Sequence, residues 1–185
     1  MSILLSFAPF IAFFVLIRLA SPLAGMIAAL IVSAALVART VLRGETVKIL
    51  ELGGLILFAL LVLVTLGFAP DWTVARVRLA VDAGLLAIVL FSLVIGRPFT
   101  MQYARERVSE EYWNSPQFFA TSRLIAIVWA VAFAVLVAAD AAAEYVPAIP
   151  VRVDVWVSIA ALAGAFSFTN WYPKVARRRS GRPAG

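Results

Sequence analysis

The sequence predicts an all-α polytopic membrane protein: a bundle of about six transmembrane helices with both termini cytoplasmic. Three observations predict it. Hydrophobic residues make up 64% of the 185 and charged residues only 14%, whereas a soluble domain carries about 45–50% and about 25%. Six apolar runs approach the roughly 20 residues that a helix needs to cross the hydrocarbon core. The basic residues, which leave a formal net charge of +6, sit at the ends of those runs, where headgroups and water can reach them.

The first run covers residues 3–20 and is the shortest. Pro9 removes a helix hydrogen bond within it, and Arg18 closes it. No Lys or Arg precedes Arg18, so the run lacks the basic start of a secretory signal and reads as a retained helix. Ser21-Pro22 then signals a turn and a helix start. The second run, 23–42, ends on Arg39 and Arg43. Its small residues Ala24, Ala28, Ala29 and Ser33 permit close helix contact.

A short polar link from Arg43 to Lys48 leads to the third run, 49–69, with Glu51 and Gly53-Gly54 near its start. Pro70-Asp71-Trp72 ends it, with Trp72 placed as an interfacial belt residue and Asp71 as a plausible N-cap of the next helix. That fourth run, 74–95, carries Arg78, Asp82 and the Ala80/Gly84 pair.

Residues 97–122 form the one long polar interval. The spacing of Met101, Ala104, Val108 and Tyr112 fits a single amphipathic helix lying in the interface on the cytoplasmic side, and a cytoplasmic elbow whose charges are simply solvated is the competing reading. Pro98 suits its start and Asn114-Ser115-Pro116 its stop, and Arg107 and Glu111 have the spacing of a helical pair. The fifth run, 123–140, has an Ala130, Ala134, Ala138 stripe. The sixth, 151–169, follows a link containing Pro147 and Pro150. These helices make residues 1–173 a single transmembrane domain, and 174–185 a basic cytoplasmic tail.

The basic residues set the orientation. With six crossings, one side holds Arg39, Arg43, Lys48, Arg97, Arg105, Arg107, Arg123, Lys174, Arg177, Arg178, Arg179 and Arg182. The other holds only Arg18, Arg76, Arg78 and Arg152. The crowded side is the cytoplasm, and it includes both termini. Removing the short first helix would move only the N-terminus.

Several chemistries have no residues to carry them. The chain contains no Cys and no His, which excludes disulfides, thiol nucleophiles, His or Cys metal sites and the imidazole proton shuttle. No phosphate-binding glycine loop or nucleophile elbow occurs. No metal, cofactor or nucleic-acid partner is expected, because the positive charge belongs to membrane topology. The chain is not expected to be an enzyme.

Two sets of residues remain as candidate sites. In the central interval, Arg97, Phe99, Tyr103, Arg105, Arg107 and Trp113 could bind lipid phosphates or a partner's carboxylates. Within the runs, Asp82, Arg78 and Glu51 form the candidate intramembrane polar site, since ionisable groups in a bilayer are expensive. Arg78 and Asp82 stand four apart, so a plain ion pair within one helix competes with a role in a pathway. Asp140, Glu144, Arg152 and Asp154 gather on the predicted outer face, where a solvated rim is expected.

Some local patterns resemble the bacterial intracellular septation protein A-like family of small multi-pass inner-membrane proteins. They are the opening Phe7-Ala8-Pro9-Phe10-Ile11-Ala12-Phe13-Phe14, the Asp71-Trp72 turn, the Gly96-Arg97-Pro98-Phe99 exit, and Trp113 followed by Trp129. Arg76 and Arg78, the 101–114 segment and the Arg-rich tail depart from that pattern. The resemblance implies a non-enzymatic role in cell-envelope maintenance or septation in the bacterial inner membrane. The implied partners are membrane lipids and other inner-membrane proteins, and no catalytic residue is implied. The alternative is a small transporter or channel working as a homo-oligomer, with Asp82 and Glu51 near its pathway.

Overall fold

The computed structural model describes residues 3–68, 72–146 and 151–179, and of these not the side chains of 3–4, 151–152 and 177–179. Asp71, Pro70, Pro147, Pro150, Arg182 and the end of the tail lie outside the described residues, as do the side chains of Arg152 and Arg177 to Arg179. Every element among the described residues is helical: α1 (Ile3–Ser6), α2 (Ala8–Leu19), α3 (Pro22–Leu42), α4 (Ile49–Gly67), α5 (Val74–Val94), α6 (Phe99–Arg105), a 3-10 turn at Glu110–Tyr112, α7 (Pro116–Tyr145) and α8 (Val151–Arg179). Among the described residues five helices are long and apolar enough to cross a membrane: α3, α4, α5, α7 and α8 over Val153–Ala176. The chain is a multi-pass membrane protein. Its internal contacts divide it into two compact units, Met1–Ile88 and Val89–Gly185.

In the first unit the expected helix over 3–20 is broken. α1 ends at Ser6, Phe7 forms a turn, and α2 resumes at Ala8. Pro9 explains the break, because it has no N–H to offer the carbonyl of Leu5 and its ring crowds that carbonyl. The Phe7 carbonyl instead accepts from Phe10 N–H at 3.0 Å and Ile11 N–H at 3.1 Å. α2 alone has 12 residues, about 18 Å of helix, too short to span by itself.

α2 turns through Ala20 and Ser21 into α3. The Ser21 hydroxyl accepts from Ala24 N–H at 3.1 Å and Pro22 opens the helix, the expected cap chemistry. The two helices pack as a close hairpin, and Gly25 lets them: a Cβ there would lie 3.1 Å from both Ile17 N and Phe13 O. Phe13, Met26 and Ala29 are fully buried in this seam. Phe58 of α4 completes the core, with ring centroids 5.2 Å from Phe10 and 5.8 Å from Phe13. α5 runs antiparallel to α4, since a Cβ at Gly53 would meet Ile88 and one at Gly84 would meet Leu57. Its start is capped by Thr73, whose hydroxyl accepts from Arg76 N–H at 3.2 Å; Asp71, the expected N-cap, lies outside the described residues.

In the second unit α7 and α8 are longer than the runs at 123–140 and 151–169. Ser115-Pro116 does not stop a helix; it begins one. The Ser115 hydroxyl accepts from Phe118 N–H at 3.2 Å and Pro116 takes the first turn, where its missing N–H costs nothing. α8 continues through Pro173 to Arg179. The pair is antiparallel: Trp129 Nε1 donates to Thr169 Oγ1 at 3.0 Å, and Gln117 Nε2 donates to the Ala176 carbonyl at 3.1 Å. The buried face of α7 is Ile125, Trp129, Phe133, Leu136 and Asp140. Of the alanine stripe only Ala130 is buried, while Ala134 and Ala138 are exposed.

Candidate functional site

The polar interval is not the single amphipathic helix its spacing suggested. α5 leaves the membrane through Gly96, which adopts φ +68, a left-handed turn that glycine enters without steric cost. Arg97 N–H then bonds the Ser92 carbonyl at 3.0 Å. The Ser92 hydroxyl donates to the Val89 carbonyl at 2.7 Å and accepts from Phe99 N–H at 3.2 Å. This knot aims Phe99 inward. Phe99, Thr100 and Tyr103 form the buried face of α6, not Met101 and Ala104. Thr100 Oγ1 donates to the Ser122 carbonyl of α7 at 2.6 Å.

α6 stops at Arg105. Beyond it the chain folds back: Trp113 Nε1 donates to the Val108 carbonyl at 2.9 Å, taking an acceptor that a continuing helix would use. The Arg105 guanidinium lies 5.2 Å from the Trp113 ring centroid, a cation–π distance. Arg107 and Glu111 are both exposed and share no helix, so the helical pair is not formed.

The six predicted contact residues therefore divide. Phe99 and Tyr103 are buried, with ring centroids 6.3 Å apart, and act as anchors of the elbow rather than as a face for a partner. Arg97, Arg105 and Arg107 are exposed, and Trp113 is half-buried beneath Arg105. The result is a short elbow with a fixed inner side and a basic outer side.

The intramembrane candidates are all buried: Glu51 at 4% exposure, Arg78 at 9% and Asp82 at 1%. They do not form one site. The Gly53–Ile88 and Gly84–Leu57 packing places Asp82 level with the middle of α4, whereas Glu51 lies in the first turn of α4. Eight residues of helix rise separate the two levels, about 12 Å. Asp82 lies beyond two full turns into α5, with Arg78 one turn nearer the helix start.

Glu51 has a built setting that the sequence reading missed. Ser6 Oγ donates to Glu51 Oε1 at 3.0 Å, and Thr40 Oγ1 donates to Glu51 Oε2 at 3.2 Å. Ser6 is 1% exposed and Thr40 2%. Three helices thus converge on one carboxylate. Because Ser6 is level with Thr40, the segment from Ser6 to Leu19 runs alongside α3 over nearly its whole length. The available signal was topological: short links make the start of the first run, the end of the second and the start of the third meet at one end.

The expected solvated rim of acids is not observed at Asp140 and Asp154, each only 2% exposed. The α7/α8 register places them level with each other. Among the described residues no group of three or more His, Cys, Asp or Glu is placed to hold a metal ion. No protein-family model, curated protein or solved structure matches this chain.

Proposed function

We propose that this protein is a non-enzymatic component of the bacterial inner membrane. It acts in envelope maintenance or septation by binding membrane-protein partners or anionic lipids through the elbow between α5 and α7. The observation that carries the reading is the division of the elbow into a buried anchor and an exposed basic face. Phe99, Tyr103 and the Thr100–Ser122 bond hold the backbone, and Arg97, Arg105 and Arg107 stay outside. An arginine on a held backbone segment loses less entropy on binding than one on a free chain, and its guanidinium recognises carboxylates and phosphates through paired donors. The resemblance of the opening segment and of Gly96-Arg97-Pro98-Phe99 to the septation protein A-like family supports the same role. On this reading the first segment crosses together with the five long helices, and the elbow and both termini face the cytoplasm.

Charge reversal tests the reading. Arg105→Glu with Arg107→Glu is expected to lose co-purifying partners or anionic lipids in native membrane patches while retaining helix content. A folded double mutant with normal retention contradicts it.

A second reading, a small transporter or channel working as an oligomer, is favoured by Asp82, an acidic side chain at mid-span with 1% exposure. Ionisable residues at that depth are rare unless they serve a pathway. It predicts that Asp82→Asn abolishes ion flux in proteoliposomes, and unchanged flux counts against it.

A further inference from the structure

We infer that the elbow takes an anionic phospholipid, whose phosphate is held by the Arg105 guanidinium seated over the Trp113 ring. The inference rests on the docking function of the elbow proposed above and names its partner. Its first support is how Arg105 is held. Its guanidinium lies 5.2 Å from the Trp113 ring centroid, and the ring is itself tied down by the Nε1 bond to the Val108 carbonyl at 2.9 Å. Ser115 closes the turn that carries the ring: its hydroxyl donates to the Tyr112 carbonyl at 2.8 Å and accepts from Phe118 N–H at the start of α7. A guanidinium over an aromatic face spends none of its five N–H donors on that contact. The Arg105 side chain makes no ion pair or hydrogen bond among the described residues, so its donors are available to a ligand.

The second support is depth. α5 keeps an exposed apolar surface to its end, with Val94 85% exposed, and then turns at Gly96. Thr100 of α6 is bonded to the Ser122 carbonyl. The Gln117–Ala176 bond fixes the α7/α8 register and sets Trp171 level with Ser122, about one and a half turns along from that bond. Trp171 is 58% exposed, as a belt residue at the membrane surface should be. α6 and Arg105 therefore lie at the level of the headgroups.

The third support is the local charge. In the elbow the exposed Arg97, Arg105 and Arg107 are balanced by the exposed Glu106, Glu110 and Glu111. The surplus beside it comes from Arg123, exposed on α7 next to Ser122. Attraction through net charge is modest for so balanced a segment, so affinity has to come from a guanidinium that presents paired donors. Phosphate has the matching acceptors, and at this depth the bilayer supplies it. The phosphate of phosphatidylcholine is balanced by the lipid's own ammonium group, whereas that of phosphatidylglycerol is not. The anionic lipid is therefore the one that gains.

The test uses the full chain in a neutral maltoside detergent, to which phosphatidylglycerol or phosphatidylcholine with identical acyl chains is added. Native mass spectrometry counts the lipids retained. Wild type is expected to retain one phosphatidylglycerol at concentrations where phosphatidylcholine is not retained. Arg105→Lys keeps the charge but loses the paired donors, and is expected to weaken retention about fivefold with helix content unchanged. Trp113→Leu removes the platform and is expected to weaken it too. It can also loosen the turn, so Arg105→Lys is the sharper variant. Equal retention of the two lipids by folded wild type, or wild-type retention in Arg105→Lys, overturns the proposal. If charge reversal at Arg105 and Arg107 then releases a co-purifying protein, only the lipid assignment falls. If it releases nothing, the docking function falls with it.

Discussion

Gly25 shows how much one residue decides. Its missing Cβ lets α3 pack against the backbone of α2, where an added Cβ would lie 3.1 Å from both Ile17 N and Phe13 O. Backbone cannot move aside as a flexible side chain can. A helix gains up to about 1 kcal/mol when glycine becomes alanine, so Gly25→Ala sets propensity against crowding. Gly25→Val adds an isopropyl group to the crowded side and is expected to destabilise by about 1–3 kcal/mol. Gly164→Ala is the control, because nothing lies within 4 Å of its Cβ position. Reversible unfolding in mixed detergent micelles measures both. A Gly25→Val protein as stable as wild type would mean that the α2/α3 seam is looser than described. The same attention to single residues separates the candidate sites: Asp82 and Glu51 look alike in sequence, but only Glu51 has two hydroxyls donating to it in the structure.

Among the elements, the elbow between α5 and α7 is the one on which the proposed function rests. Its hold on α7 runs through Thr100 Oγ1 and the Ser122 carbonyl at 2.6 Å. Thr100→Val keeps the shape and removes the bond, at a cost of about 1 kcal/mol. That corresponds to about a fivefold rise in the opened population. Limited trypsin digestion at Arg105 and Arg107 is therefore expected to quicken by a similar factor, while cleavage elsewhere keeps its rate. An unchanged rate would show that Phe99 and Tyr103 suffice as anchors.

Much of the element order was legible, because lipid leaves few choices for a chain of long apolar runs. The starts of α3, α4 and α5 lie within one residue of the reading at 23, 49 and 74. What misled were signals that work in two directions. Ser115-Pro116 reads equally as the end of one helix and the cap of the next. The stripe Met101, Ala104, Val108, Tyr112 fits a helix period, but Phe99 and Tyr103 bury more apolar surface, and the Trp113–Val108 bond ends the helical path. The acids Asp140 and Asp154 looked solvated because each stands near a helix end. Their burial depends on α7 and α8 extending past the apolar runs. Ser6 and Thr40, the partners of Glu51, carry no charge, so nothing in composition marked them.

For the whole molecule, the orientation in the membrane decides which surfaces meet the cytoplasm. The basic residues predict that the 43–48 link, the elbow and both termini share the cytoplasmic side. This requires the broken first segment to cross along with the five long helices. Ser6 meeting Thr40 and Glu51 at one end of the first unit supports that crossing. The chain has no cysteine, so single cysteines can be introduced without background. The most direct measurement is labelling of Ser2→Cys, Glu45→Cys, Ser109→Cys, Thr73→Cys and Tyr145→Cys in intact cells with a membrane-impermeant maleimide. Positions 73 and 145 are expected to label from outside, while 2, 45 and 109 label only after the membrane is opened. Labelling of position 109 from outside would contradict it, because the elbow would then face away from the cytoplasm.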